Sequence, residues 1–231
     1  MVIIKEILLE QGEYYNEVFE KDTIVLHYTA GSHRPDWVIQ GGWENDKTKT
    51  GDKLKVATAY VIGGLSTTST ESEWDGVIVK AFDDKYWAHH LGCTTANNKT
   101  LNQKSIGIEI CNYGPCKKGK DGKFYNYVNK PMPDNMVFEL PKPYRGYTHY
   151  HKITPKQIEA VRLLILDIIK RHPKIDVKKG ILQFINQSNA FESNQAALKG
   201  IGGIWSHSNY REDKFDITPQ PEMVAMLKTF L

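Results

Sequence analysis

The stretch Ser206-His207-Ser208-Asn209-Tyr210-Arg211-Glu212-Asp213-Lys214-Phe215-Asp216 places a lysine seven residues and an aspartate nine residues after a histidine, in a segment too polar and irregular for a core helix or strand. If this loop folds back on itself, His207 and Asp216 can both ligate a metal, and Lys214 can face negative charge developing beside them. Catalytic zinc sites keep three protein ligands and leave an open position for water, so a third ligand must come from elsewhere. His27 supplies the natural choice at the end of the apolar run Thr23-Ile24-Val25-Leu26-His27-Tyr28. The competing reading is that a strand-end histidine caps the core or bonds a neighbouring carbonyl. The 180 residues between His27 and His207 carry no local signature.

Glu109 is the candidate base. In Ser105-Ile106-Gly107-Ile108-Glu109-Ile110-Cys111 the isoleucines alternate, so Glu109 sits in mid-strand on the opposite face. An unpaired carboxylate in an interior strand is costly, and it is more often functional or paired than idle. Near a metal-bound water it can take the water's proton. A solvated loop is the commoner fate of a lysine such as Lys214. His89 and His90, close to Trp87, either line a groove or pack in an aromatic cluster.

The elements that must position these groups begin with a β-branched strand over residues 2–9, turned at Gln11-Gly12-Glu13. Thr23–Tyr28 reads as a buried central strand, followed by a turn and a helix starting at Pro35 and limited by Gly41-Gly42. Val56–Ile62 and Val77–Phe82 pair as a hairpin through Asp75-Gly76, lengthened by the Ser/Thr stretch between Ser66 and Ser72. Residues 112–152, rich in Pro, Tyr, Lys and Gly, read as a surface excursion with a hairpin at Lys120-Asp121-Gly122-Lys123. Thr154-Pro155-Lys156-Gln157 opens the best-marked helix with a capping box, and Lys170-Arg171-His172-Pro173 closes it. Ile181–Lys199 is helical or irregular, and Pro221–Leu231 forms a terminal helix. The order implies an α/β fold, a central mixed sheet with helices on its faces.

With 231 residues, 40% of them hydrophobic and 25% charged, and no Pro/Ser/Gly-rich linker, one domain over 1–231 is expected. A net charge of +3 is too small to argue for nucleic acid, and no apolar run approaches the roughly 20 residues that span a bilayer. Three cysteines, Cys93, Cys111 and Cys116, point to reduced thiols, with a Cys111–Cys116 bridge as the alternative. The N-terminus lacks a basic lead and a cleavage motif, so a cytoplasmic location in the producing cell is expected, the alternative being an export signal already trimmed.

In this order the pieces resemble the type 2 N-acetylmuramoyl-L-alanine amidases, the zinc amidase fold shared by phage endolysins, wall-recycling amidases and peptidoglycan recognition proteins. Ile24–Gly31 resembles the family's first ligand strand, Ala59–Ile62 its second strand, Ser105–Glu109 its glutamate strand, Thr154–Pro173 its long helix, and Ser206–Asp216 its second ligand loop. The resemblance spans a core of about residues 22–221, with longer segments than the family expects at 112–152 and 174–203. It implies Zn2+ on His27, His207 and Asp216, Lys214 as oxyanion stabiliser and Glu109 as base. It implies hydrolysis of the amide between the lactyl group of N-acetylmuramic acid and L-alanine, in peptidoglycan or muropeptide, by a monomer that meets the wall after release and binds neither nucleic acid nor membrane. His90, Trp87 and Thr58 are the expected substrate-binding positions. Thr58 stands where some members carry a catalytic tyrosine, and the Trp-His-X-Gly loop survives only as His89-His90-Leu91-Gly92, with Trp87 displaced. The alternatives are a non-catalytic muropeptide-binding module and a zinc hydrolase of another amide.

Overall fold

The computed structural model describes residues 2–231. The first five strands are β1 (Ile4–Glu6), β2 (Thr23–Tyr28), β3 (Tyr60–Ile62), β4 (Ile78–Lys80) and β5 (Ser105–Ile110). Five more follow closely, β6 (Pro115–Lys118), β7 (Phe124–Asn126), β8 (Pro131–Met132), β9 (Val137–Tyr144) and β10 (Tyr147–His151), and β11 (Gly203–Ser206) comes late. The helices are α1 (Asn98–Lys104), α2 (Pro155–Arg171), α3 (Gln195–Leu198) and α4 (Pro221–Lys228).

The principal sheet has the order β1-β4-β3-β5-β2-β11 and is mixed, with β3–β4 antiparallel and the other pairs parallel. Every residue of β2 is buried, as its unbroken β-branched and apolar run requires of a strand covered on both faces. On β5 the isoleucines Ile106, Ile108 and Ile110 fill one side. The other side carries Gly107 and Glu109. Gly107 has no alternative: a Cβ there would lie 2.6 Å from the Thr58 methyl and 3.2 Å from His90 Nδ1.

Helix α2 starts where its capping box places it. Thr154 Oγ1 accepts from the Gln157 amide at 3.1 Å, and Thr154 N donates to Gln157 Oε1 at 3.0 Å. Its buried stripe of Ile158, Val161, Leu164, Ile165 and Ile168 joins the main core. The far end is fastened through Asp84, which accepts from Tyr60 Oη at 2.8 Å, from His172 Nε2 at 3.0 Å and from Arg171. Burial pushes the Asp84 carboxyl up, but His172, Arg171 and Tyr60 outweigh it and hold the group well below the usual carboxylate range.

Residues 112–152 form a second, antiparallel sheet of order β8-β7-β6-β10-β9, not a surface excursion. Cys116, Met132 and Val137 make a small core of its own, while Leu140, Tyr144 and Tyr150 enter the main one. Its neck is sewn shut. Asn112 Nδ2 donates to the carbonyls of His151 at 3.2 Å and Lys152 at 3.1 Å, and Gly114 O accepts from His151 N at 2.9 Å. The expected turn at Lys120–Lys123 does join β6 to β7.

Other expectations needed correction. The 2–9 strand and the Val56–Ile62 strand are short, with only Ile4–Glu6 and Tyr60–Ile62 in continuous ladders, while Ile7 and Leu9 make isolated bonds to the Lys80 and Ala81 carbonyls and Val56 an isolated bridge to His89. The helix after β2 is a π-helical turn, Trp37–Gly42, that continues through the two glycines into a 3-10 turn at Trp43–Asn45. Ser/Thr residues 66–72 and the Trp74–Gly76 turn do connect β3 to β4. Cys93, Cys111 and Cys116 are all buried free thiols, so there is no Cys111–Cys116 bridge.

Replacing Asp84 by Asn removes a buried charge from three donors and is expected to cost about 2 kcal/mol, seen as a lower midpoint in urea unfolding. The sign with pH follows from the depressed carboxyl. Its contribution is full above about pH 4, the unfolded value, and fades as pH falls through the lower folded value, so the gap between D84N and wild type should close only in acid.

Candidate metal centre and its groove

Strand register alone brings the first candidates together. His27 on β2 lies directly opposite Glu109 on β5, and Ser206 on β11 lies opposite Leu26, so His207 follows immediately beside His27. All three stand at the C-terminal ends of adjacent parallel strands, where open α/β sheets place their sites. A 3-10 turn, His207–Asn209, redirects the chain after β11, and the Ser208 amide donates to the Asp216 carbonyl at 2.7 Å. The loop therefore folds back on itself. His27, His207 and Asp216 each offer a ligand atom within 4.8 Å of the others.

The donor set can be read atom by atom. His207 Nε2 donates to the Leu91 carbonyl at 2.9 Å, which leaves the Nδ1 lone pair facing Asp216 Oδ2 at 3.0 Å. Ser105 Oγ donates to the Leu101 carbonyl at 2.8 Å and accepts from His90 Nε2 at 2.8 Å. His90 Nδ1 is then free to accept from His27 Nε2 at 3.0 Å, and His27 Nδ1 points its lone pair at Asp216 Oδ2, 3.5 Å away. Burial, then the neighbouring His207, lowers the His27 pKa to about 4, and burial followed by His27 holds His90 well below the ordinary histidine value. Two imidazole nitrogens and a carboxylate thus converge on one point. A divalent cation satisfies that arrangement, with each histidine's second nitrogen already tied to a partner.

Glu109 and Lys214 line the same cleft, which encloses about 690 Å³. Burial first, then Asp216, lifts the Glu109 pKa to about 8, with Lys214 pulling it down. Trp37 and Trp43 form one wall, and the second sheet contributes Tyr127 and Tyr147 to another. Tyr147 meets Phe215 edge-on at 5.6 Å, joining that sheet to the ligand loop.

The three expected substrate positions fare differently. Thr58 lines the cleft, but its hydroxyl is committed to the Tyr60 carbonyl at 2.9 Å, leaving the methyl to pack. His90 also borders the cleft, yet both its nitrogens are used behind His27, which makes it a positioning residue. Trp87 is not at the groove at all. It is 2% exposed, stacked on Tyr15 at 3.9 Å with Nε1 donating to Glu17 at 3.1 Å, because it packs the N-terminal segment against the core.

Two residues that hold the site escaped sequence reasoning. Asn102 is fully buried, and its Oδ1 accepts from the amides of His90 at 2.7 Å and Leu91 at 3.1 Å, fixing the loop that supports both histidines. Nothing in its polar helix advertises this. Arg145, from the β9–β10 turn, donates to the carbonyls of Ser208 at 3.1 Å, Arg211 at 3.2 Å and Glu212, and pairs with Glu192. The Arg-Gly step between two tyrosines, φ 48° and 84°, is a hairpin signal that could have located the turn but not its grip.

Comparison with known proteins supplies a family and a fold. The profile of the family described as N-acetylmuramoyl-L-alanine amidase matches residues 18–216. Among solved structures, PlyL aligns over 98% of this chain and 97% of its own, at 10% identity and TM-score 0.51. The catalytic domain of XlyA aligns over 98% and 99%, at 14% identity and TM-score 0.50, and a mutant endolysin from Bacillus subtilis over 100% and 97%, also at 14% and 0.50. At these identities the structures speak for the fold. No curated protein matches the sequence.

Substituting His90 by Ala should weaken divalent-metal binding by about 10- to 100-fold, measured by competition with a chromogenic chelator, because His27 loses the partner that sets its tautomer. His90→Asn, which retains an acceptor, should recover part of the loss.

Proposed function

Since the chain belongs to the N-acetylmuramoyl-L-alanine amidase family and hydrolyses the amide between the lactyl group of N-acetylmuramic acid and the L-alanine of the stem peptide, we propose that it works as a zinc enzyme with His27, His207 and Asp216 as the ligands. The observation that carries this reading is the convergence of those three groups, with His27 in register opposite Glu109. Two nitrogens and one oxygen, in a site open to a cleft, suit zinc with a position left for water or substrate. Bound there, zinc supplies Lewis acidity, polarising the scissile carbonyl and acidifying water.

The remaining chemistry belongs to the side chains. Glu109 takes the proton of the attacking water and returns it to the departing alanine nitrogen, a double duty open to a carboxyl that lines the same cleft as the three ligands. Lys214 faces the negative charge that develops on the carbonyl oxygen. His90, Ser105 and Asn102 keep His27 aimed, and Arg145 keeps the Ser208–Glu212 segment closed. The aromatic walls of the cleft receive the glycan and peptide on either side of the amide. Residues 1–231 act as one amidase unit, and the wall polymer outside the membrane is its substrate, met after release from the producing cell. Among the described residues no helix is long and apolar enough to cross a membrane.

Purified peptidoglycan is the test substrate, with new L-alanine amino termini as the readout. A strong chelator should abolish their release and zinc restore it. Glu109→Gln should bind zinc normally yet lower kcat by about 10²- to 10⁴-fold. Lys214→Met should lower it by about 10²- to 10³-fold with zinc content unchanged. Wild-type turnover by Glu109→Gln would remove the glutamate from the mechanism.

A further inference from the structure

We propose that the β6–β7 hairpin of the second sheet is an extended binding surface that holds peptidoglycan through the carboxylates of stem peptides neighbouring the one being cut, an inference that rests on the amidase reading above. Residues 112–152 contain seven lysines and one arginine against three acidic residues, a net +5 in a chain whose total is +3, so everything else sums to −2. The sheet is thus a cationic body on a slightly acidic core. Lys117, Lys118, Lys120 and Lys123 crowd into seven residues of the hairpin, all exposed. Among the described residues none of the four ammonium groups has a carboxylate oxygen within 4.0 Å. The hairpin's one acid, Asp121, is occupied by Tyr125 Oη at 2.7 Å.

Position assigns the occupant. Lys117 lies over the ring of Tyr147 at 5.8 Å, and Tyr147 lines the cleft while meeting Phe215 beside Lys214. The cationic surface is therefore continuous with the catalytic groove, and the polymer lying along it is the polymer being cut. Peptides joined to the glycan through the amino group of their first residue carry their free carboxyl groups outward, at repeated intervals. That chemistry complements a row of unpaired lysines, which strengthen capture at low salt and lose their effect as salt screens them.

The test compares sedimentation with insoluble peptidoglycan, in a Glu109→Gln background that prevents cutting, with hydrolysis of a soluble muramoyl peptide by the otherwise native enzyme. Changing all four hairpin lysines to Gln should weaken sedimentation about tenfold at roughly 50 mM salt, little at roughly 500 mM, and leave soluble hydrolysis within about twofold. The corresponding four Lys→Arg changes should restore binding, and amidating the peptidoglycan carboxylates should reproduce the loss with the unaltered hairpin. Sedimentation unaffected by the Gln changes or by amidation overturns the proposal. So does a loss seen only when phosphodiester polymers are stripped from the wall, or an equal loss of soluble hydrolysis. Failure of the native enzyme to cut the soluble peptide would instead remove the amidase reading, independently of how the protein sediments.

Discussion

The parallel register of β5, β2 and β11 is the constraint on which the rest of this molecule depends. Side chains alternate along a strand, so a slip of one residue between β2 and β5 would remove Glu109 from His27 and turn an isoleucine into the cleft. Burial of all of β2 forbids that slip, since it would drive Thr23 and His27 into the apolar layer that Ile24 and Leu26 fill. Hydrophobic packing therefore sets the spacing of the polar groups, and it does so before any metal is present.

Around this frame the polar atoms follow a strict economy of partners. The relay from His27 through His90 and Ser105 to a backbone carbonyl fixes one imidazole, and Leu91 fixes the other. Both supports originate in one short loop, governed by the buried amide of Asn102. Buried groups of this kind are costly when left unmatched, so a fully matched set gives the candidate metal centre a rigid outline. Asp216 arrives from a less regular segment, and there the second sheet compensates through Arg145 and the Tyr147–Phe215 contact.

What was legible in the sequence was what repeats or caps. The unbroken apolar run of β2, the isoleucine alternation of β5 and the Thr154–Gln157 box are local signals that their elements obey, and the α/β fold with its central mixed sheet followed from them. The candidate ligand triad could be named but not joined from spacing alone, because 180 residues separate His27 from His207 and only sheet pairing brings them together. β11 was hidden by its glycine-rich lead, and α1 by the polar residues of Asn98–Lys104. The second sheet was missed because its strands bury few residues each, with prolines and lysines between them, which is how a solvated loop also reads. Trp87 misled for a physical reason as well: an aromatic beside histidines suggests a groove, yet here the indole is consumed by packing on Tyr15.

The sewn neck of the second sheet bears on how such a protein can change over time. Chain leaves β5 at Ile110 and returns to the cap of α2 at Thr154, and Asn112 ties the two passages together by both backbone carbonyls it reaches. Beyond that stitch, length is cheap, since doubling a closed loop costs only about 0.6 kcal/mol in chain entropy. Only its outer part is built like an exchangeable cassette: β7, β8 and their connections can be gained, lost or recharged, while β9 and β10, which feed the main core and carry Arg145 to the Ser208–Glu212 loop, must stay where they are. Substrate preference and catalytic machinery are thereby free to diversify on separate schedules within one chain.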